Sequence, residues 1–204
     1  MDRDKVLDIL TECDALLEGH FRYTSGRHGK LYFEKIKVAC RPDLVMELGK
    51  MTAIQMEDIT SSFDVVCAPA FGAIVFGFAT AHAMGKPFAF LQRDADGTMG
   101  IRSGFKGIVK NARVLLVEDV VTTGGSVREA IEVLNELDAS VVMVGLLVDR
   151  TNGELELPAP YRALLTVKVE SWNPDECPMC RERIEITKPG SSGKKDQPLS
   201  EAGS

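Results

Sequence analysis

Long apolar runs are missing from this 204-residue sequence, whose uninterrupted hydrophobic stretches are no longer than a strand or a short helix. A bilayer span needs about 20 apolar residues, so no membrane partner is expected. The first residues, Met1 to Lys5, are charged and lead into no apolar run. No secretory leader is therefore expected, and the expected location is the cytoplasm. A basic surplus is also missing: 24 Lys and Arg stand against 30 Asp and Glu, for a net charge of −6. A non-specific nucleic-acid binder needs a basic surface to meet phosphates, so no nucleic-acid partner is expected. The five cysteines, Cys13, Cys40, Cys67, Cys177 and Cys180, are an odd and scattered set, which argues against a disulfide framework and for reduced thiols. Neither a Gly-x-x-x-x-Gly-Lys-Ser/Thr loop nor a Gly-x-Gly-x-x-Gly loop occurs, which disfavours two common nucleotide folds.

What is present suits one globular unit. A 45% hydrophobic content over this length can bury one substantial core, and residues 1–187 read as a single domain followed by a polar tail, 188–204, expected to be disordered. Val6, Leu10, Cys13 and Leu17 recur at helical spacing until Gly19, Leu31 to Val38 is loosely strand-like, and a helix starting near Pro42 turns Leu44, Leu48 and Met51 inward. Asp64 to Pro69 reads as a buried strand. Gly72 to Met84, apolar nearly all round, reads as a helix covered on several sides, and Phe88 to Gln92 as the next strand. Residues 92–107 carry four glycines and read as a polar, mobile excursion with little packing of its own, long enough to be a lid. Val114 to Val117 is continuously apolar, as in a central parallel strand buried on both faces. Val127, Ala130, Ile131, Leu134 and Leu137 then mark a helix face, and Val141 to Val148 a further strand. Strands alternating with helices predict an α/β fold with a parallel sheet flanked by helices. Its ligand should sit beyond the carboxyl ends of the strands, on the loops after Ala68, Gln92, Val117 and Val148. Arg22, Arg27, Lys30, Lys35, Lys37 and Arg41 against Glu34 make 22–41 a basic stretch inside an acidic chain, which would suit a small polyanion.

The segment Glu118-Asp119-Val120-Val121-Thr122-Thr123-Gly124-Gly125-Ser126 joins a buried strand to an amphipathic helix. Backbone N–H groups and the helix dipole favour an anion there. The two glycines let the main chain approach, Thr122, Thr123 and Ser126 offer hydroxyl donors, and Ser126 could also cap the helix. Glu118 and Asp119 stand about one sugar-length before this cradle, where carboxylates accept hydrogen bonds from ribose hydroxyls. The pattern asks for a ribose 5-phosphate. Any one of these features could belong to an ordinary strand-to-helix turn with solvated acids; their uninterrupted order favours a site.

At these residues the chain resembles the type I phosphoribosyltransferase family, and Val117 to Gly125 (VEDVVTTGG) is most similar to the orotate enzymes. Glu18-Gly19-His20-Phe21, Thr24-Ser25-Gly26-Arg27-His28 and Val148-Asp149-Arg150 extend the likeness over roughly Leu7 to Arg150. The resemblance implies a type I fold with an N-terminal hood (residues 1–40 plus a C-terminal part), a mobile lid at about 92–107 and a homodimer. It implies an enzyme, a glycosyltransferase of pyrimidine biosynthesis, that moves ribose 5-phosphate from phosphoribosyl diphosphate to orotate with Mg²⁺ held mainly through substrate. Glu118 and Asp119 would steady the sugar, residues through Ser126 would hold the 5-phosphate, and Thr122 and Arg150 would contact orotate, with Tyr32 or Phe33 over the ring.

The chain departs from the family's pattern in three places. Phe71-Gly72-Ala73 replaces a lysine-bearing loop, Thr24 replaces a lysine, and the lid's basic cluster shrinks to Arg93 and Arg102, which become the candidate diphosphate cations. Alternative readings are a phosphoribosyltransferase for another base and a non-catalytic phosphoribosyl-diphosphate sensor, although no helix-turn-helix segment is visible for such a regulator. Cys177-Pro178-Met179-Cys180 has half of a zinc signature and no second pair. Cys40, Cys67 or a second subunit would have to complete it, so free thiols are expected and no protein metal ligand is assigned. His20 and His28 read as ordinary hydrogen-bonded histidines.

Overall fold

In the computed structural model, which describes residues 3–23 and 25–187, the chain forms two sheets. Thr24 and the tail 188–204 fall outside the described residues. Helix α1 (Arg3–Glu12) is followed by an antiparallel hairpin, β1 (Leu16–Arg22) and β2 (His28–Phe33), and by α2 (Lys35–Ala39) and α3 (Pro42–Gln55). Then come β3 (Val65–Pro69), α4 (Gly72–Met84), β4 (Phe88–Arg93), β5 (Met99–Ile101), α5 (Ser103–Val109), β6 (Arg113–Val121), α6 (Gly125–Asn135) and β7 (Ser140–Asp149). The chain continues through β8 (Tyr161–Thr166) and β9 (Ser171–Trp172) to a short α7 (Pro178–Arg181).

The main sheet has the order β5-β4-β3-β6-β7-β8. All neighbours are parallel except the edge pair β4 and β5. Its strands read as unbroken apolar runs because alternate residues enter different cores. Val66, Leu115 and Val117 pack with α1, α3 and α4 residues such as Leu10, Leu48 and Phe76. Val65, Cys67, Val114 and Leu116 pack with α6 residues Val127, Ala130, Ile131 and Leu134. The expected α/β architecture is thus the observed one, with the cradle-bearing strand β6 in the middle of the sheet.

Several local expectations are corrected. The first helix stops at Glu12, with Asp14 at φ +53°, so Leu17 and Gly19 lie in β1 instead of the helix; cross-strand pairing to β2 overrides the helical spacing. Segment 92–107 is not an unpacked excursion. It holds the β4–β5 hairpin and α5, with Met99 buried and Phe105 edge-on to Phe90 at 4.9 Å. Helix α4 packs against the sheet, α3 and α2 but not all round, leaving Val75 and Phe78, and Phe71 just before it, exposed. Finally, β6 runs on to Val121, so both acids lie inside the strand and the turn shortens to Thr122–Gly124. Strand β8 and the joining of β1, β2 and β9 into one sheet had no sequence expectation, and of the strand-like Leu31 to Val38 only Leu31 to Phe33 lies in a strand, β2, while Lys35–Ala39 is α2. No described helix is long and apolar enough to cross a membrane.

Candidate active site

The cradle follows directly from how β6 ends. Parallel pairing of Glu118 with Leu146, Val120 with Val148 and Val121 with Asp149 carries the strand to the sheet's carboxyl edge. The chain then turns through Gly124, whose φ of +77° is the left-handed conformation that glycine adopts without penalty. A Cβ there would also meet Leu157 at 3.0 Å and Leu155 at 3.1 Å. Gly124 is the N-cap of α6 and no side chain caps the helix. Ser126 therefore lies inside the first turn and is not the expected cap. An uncapped N-terminus keeps its first N–H groups and the positive end of the dipole for an incoming anion. Arg128 braces this turn, donating from Nη1 to the Thr123 carbonyl at 2.7 Å and from Nη2 to the Glu156 carbonyl at 2.6 Å.

Glu118 and Asp119 are buried in β6, at 7% and 4% exposure. The Glu118 carboxylate accepts the Asp119 N–H at 3.0 Å and the Asp119 carboxylate accepts the Val120 N–H at 2.5 Å, which fixes both acids against the main chain. Arg150 lies just past β7 and reaches the same edge, its N–H bonding to the Val121 carbonyl at 3.0 Å. Its guanidinium lies 5.1 Å from the Tyr23 ring and 5.6 Å from the Phe33 ring. Burial lowers the Arg150 pKa, while Tyr23 and Tyr32 oppose that shift. Arg150 Nε is buried with no hydrogen-bond partner among the described residues. A small, mostly apolar crevice of about 20 Å³ is lined by Phe33, Asp119 and Gly72. Aromatic wall, acid and the start of α4 thus face one space.

Of the predicted residues, the structure brings Glu118, Asp119, Val120 to Ser126 and Arg150 to one edge of the sheet, with Phe33 against Arg150. Tyr32 stacks on Phe21 at 5.6 Å and acts on Arg150 electrostatically. Arg93 and Arg102 are tied down: Arg93 ion-pairs with Glu129 in the first turns of α6 and donates to the Gly97 carbonyl at 2.8 Å, and Arg102 donates to Gln92 at 2.9 Å. In the basic stretch, Arg41 is held by Glu12 and Asp43, and Arg27 by Ser171 and Asn173, so neither is poised for a polyanion as the composition suggested. Sequence reasoning missed Tyr23, whose Oη donates to the Leu31 carbonyl at 2.6 Å. Gly29 makes room for it, since a Cβ at that position would fall 2.1 Å from Tyr23 Oη. Asp149, quoted from the sequence only within Val148-Asp149-Arg150, is fully buried and accepts from Thr151 N–H and Oγ1 at 2.7 Å and from Gly153 N–H at 3.1 Å, shaping the turn that carries Arg150.

The histidines are hydrogen-bonded as expected, His20 to the Ile184 carbonyl and to His28, and they also adjoin the Cys-x-x-Cys pair. His20 on β1, His28 on β2, Cys177 and Cys180 place one ligand atom each within 4.8 Å of one another, whereas neither Cys40 nor Cys67 joins the group. Burial, reinforced by His20 and Arg22, holds the His28 imidazole below its usual pKa.

Comparison with known proteins agrees with this geometry. The model of the phosphoribosyl transferase domain matches residues 39–178. Orotate phosphoribosyltransferase of Caldicellulosiruptor bescii is 42% identical over 194 residues, 95% of this chain and 100% of that protein. Among solved structures, orotate phosphoribosyltransferase from Aeropyrum pernix superposes with a TM-score of 0.67 at 22% identity, over 80% of this chain and 94% of that one. The Mycobacterium tuberculosis orotate enzyme in complex with 5-phospho-α-D-ribosyl 1-diphosphate gives 0.63 at 24% identity, over 81% and 96%. With buried paired acids leading into an uncapped helix and a near-full-length relative at 42% identity, the chain belongs to the phosphoribosyltransferase family, in its orotate branch.

Proposed function

We propose that this protein is an orotate phosphoribosyltransferase, which joins orotate to the ribose 5-phosphate of phosphoribosyl diphosphate and releases diphosphate. One observation supports this most directly: two buried carboxylates, Glu118 and Asp119, lead straight into the uncapped N-terminus of α6, with Arg150 held at the same edge. The 5-phosphate sits on the Thr122 to Ser126 turn, where N–H groups and hydroxyls converge. The acids accept the ribose hydroxyls. As the bond from C1 of the sugar to diphosphate breaks, positive charge grows on the sugar, and buried carboxylates stabilise it without having to reorganise. Orotate N1 then forms the new bond to C1, its proton passing to solvent.

Arg150 is the cation for the orotate carboxylate, with Thr122 beside it and Phe33, Tyr32 and Tyr23 as the wall. Its unpaired Nε and its packing between two rings suit a planar anion. Arg93 and Arg102 serve the diphosphate. Their present bonds are exposed ones, of a kind worth about 0–1 kcal/mol, so exchanging them for diphosphate costs little. The β4–β5 hairpin tip is the lid, and the β1-β2-β9 sheet with the N-terminal helix is the hood. Glu118 and Asp119 offer oxygen ligands of the type Mg²⁺ takes, and the His–Cys cluster does not. Held there with substrate, Mg²⁺ would supply charge neutralisation for the departing diphosphate. Cytoplasmic pyrimidine synthesis is the setting that fits these substrates. Pairing into a homodimer is supported by the apolar face Phe71, Val75 and Phe78, which a single chain leaves exposed.

The test mixes purified protein with phosphoribosyl diphosphate, Mg²⁺ and orotate, adenine, hypoxanthine or uracil in turn. Orotate alone should be consumed, with diphosphate released in equal amount. Consumption of another base, or binding of phosphoribosyl diphosphate with no turnover of any, would overturn the assignment in favour of a different base or a sensor.

A further inference from the structure

We propose that His20, His28, Cys177 and Cys180 form a structural zinc site that staples the C-terminal segment to the β1–β2 hairpin. His20 Nε2 lies 3.0 Å from His28 Nδ1, 3.5 Å from Cys177 Sγ and 3.7 Å from Cys180 Sγ, and His28 Nδ1 lies 3.2 Å from Cys180 Sγ. Tetrahedral zinc, with bonds of about 2.0–2.1 Å to nitrogen and about 2.3 Å to sulfur, has edges of roughly 3.3 Å between nitrogens and roughly 3.5 Å between nitrogen and sulfur. The four atoms already stand near the corners of that tetrahedron.

Hydrogen bonding alone accounts poorly for this crowding. His20 Nδ1 lies 2.8 Å from the Ile184 carbonyl, an acceptor only, so Nδ1 carries the proton and Nε2 has a single lone pair. Three groups, the His28 nitrogen and both thiols, converge on that one lone pair. A cation at the centre satisfies all four at once, and the bond to Ile184 is the outer partner that orients a ligating histidine. Two imidazoles and two thiolates select zinc over hard cations. His20, His28 and Cys177 are almost fully buried, and all four positions are taken by protein, so the site is closed and structural instead of catalytic.

The location gives the metal a task. Phe21, Cys177 and Met179 are buried yet belong to neither main core. Beyond the cluster, segment 174–187 is hydrogen-bonded to the hairpin through the Thr187 N–H to the His20 carbonyl at 2.7 Å and the His20 ring to the Ile184 carbonyl at 2.8 Å. So small a layer gains most from a metal clip. His28 shares its strand with Phe33 and Gly29, which set the wall beside Arg150, so the clip also steadies that wall. Three of the four ligands lie outside the family-matched residues 39–178, which makes the clip separable from the transferase core.

The experiment is elemental analysis of the protein purified without chelator, followed by cobalt substitution of the intact chain. About one zinc per chain is expected, with thiolate-to-cobalt charge-transfer absorption after exchange. Cys177→Ser with Cys180→Ser should abolish both signals, and Cys40→Ala should keep them. Stripping zinc should lower Tm by several degrees and expose 174–187 to protease. Protein that carries no zinc and takes up neither zinc nor cobalt would overturn the site, as would undiminished metal in the double variant. Wild-type metal content needs no variant to fold. Phosphoribosyl diphosphate binding, measured separately by calorimetry, tells a failed zinc site from a failed transferase assignment.

Discussion

The two halves of the proposed active site, one for the sugar phosphate and one for the base, are built in opposite ways. The phosphate half is one continuous stretch, Glu118 to Ser126, whose geometry is imposed by a central strand and the helix that follows it. The base half is assembled from Tyr23 and Phe33 on a hairpin and Arg150 beyond β7, separated by more than a hundred residues. We expect main-chain groups and a buried sheet to keep the first half rigid, and side-chain packing on a small outlying sheet to leave the second adjustable. Enzymes of one fold can therefore share phosphate chemistry and differ in the base they accept.

Substitutions can break this contrast or sharpen it. The largest effect should come from Asp119→Asn, which keeps shape and removes charge beside the reacting sugar. Turnover should fall about 10²- to 10³-fold, the usual loss for one preorganised electrostatic group, while Tm moves little. Orotate absorbance in steady-state assays would show it, and unchanged turnover would refute the role. Arg150→Ala should act on the other half only. Losing a charge-assisted contact worth about 1.5–3 kcal/mol raises the orotate KM roughly 10- to 100-fold, with the phosphoribosyl diphosphate KM nearly constant. Equal losses toward both substrates would erase the proposed division.

Gly29→Ala is a milder probe of the same half. Its new methyl would collide with Tyr23 Oη, and that side chain can swing away at little cost to folding. A several-fold rise in the orotate KM with Tm and phosphate binding preserved is expected, and a large drop in Tm instead would mean the wall is not adjustable. The smallest effect concerns Cys67, buried in β3 beside the central strand β6. Burial pushes its thiol up to about 12, so it stays protonated and unreactive through pH 9, because only the thiolate is nucleophilic. Iodoacetamide followed by mass spectrometry should label exposed Cys40 in the native protein and reach Cys67 only after denaturation.

Much of the phosphate half was legible from the residues alone. The strand, the paired acids and the turn before α6 obey local rules of burial, glycine and hydroxyl placement, and these operate within about ten residues of chain. Misreadings arose where a distant partner outbid local preference. Leu17 keeps helical spacing with α1 but pairs with Tyr32 of β2, and the glycine-rich 92–107 folds because Phe105 and Met99 find apolar neighbours. The Ser126 hydroxyl was a plausible cap until the chain placed Gly124 at that position.

By itself, the sequence determined the α/β order, the central apolar strand and the contiguous anion cradle, since hydrophobic period and turn chemistry are properties of neighbouring residues. Only the tertiary structure decided that Tyr23 lies against Arg150, that Asp149 shapes the Arg150 turn, and that two histidines stand beside a Cys-x-x-Cys pair more than 140 residues away. Such meetings depend on how the hairpin, β9 and the chain after β8 close on one another, and no spacing along the chain records that closure.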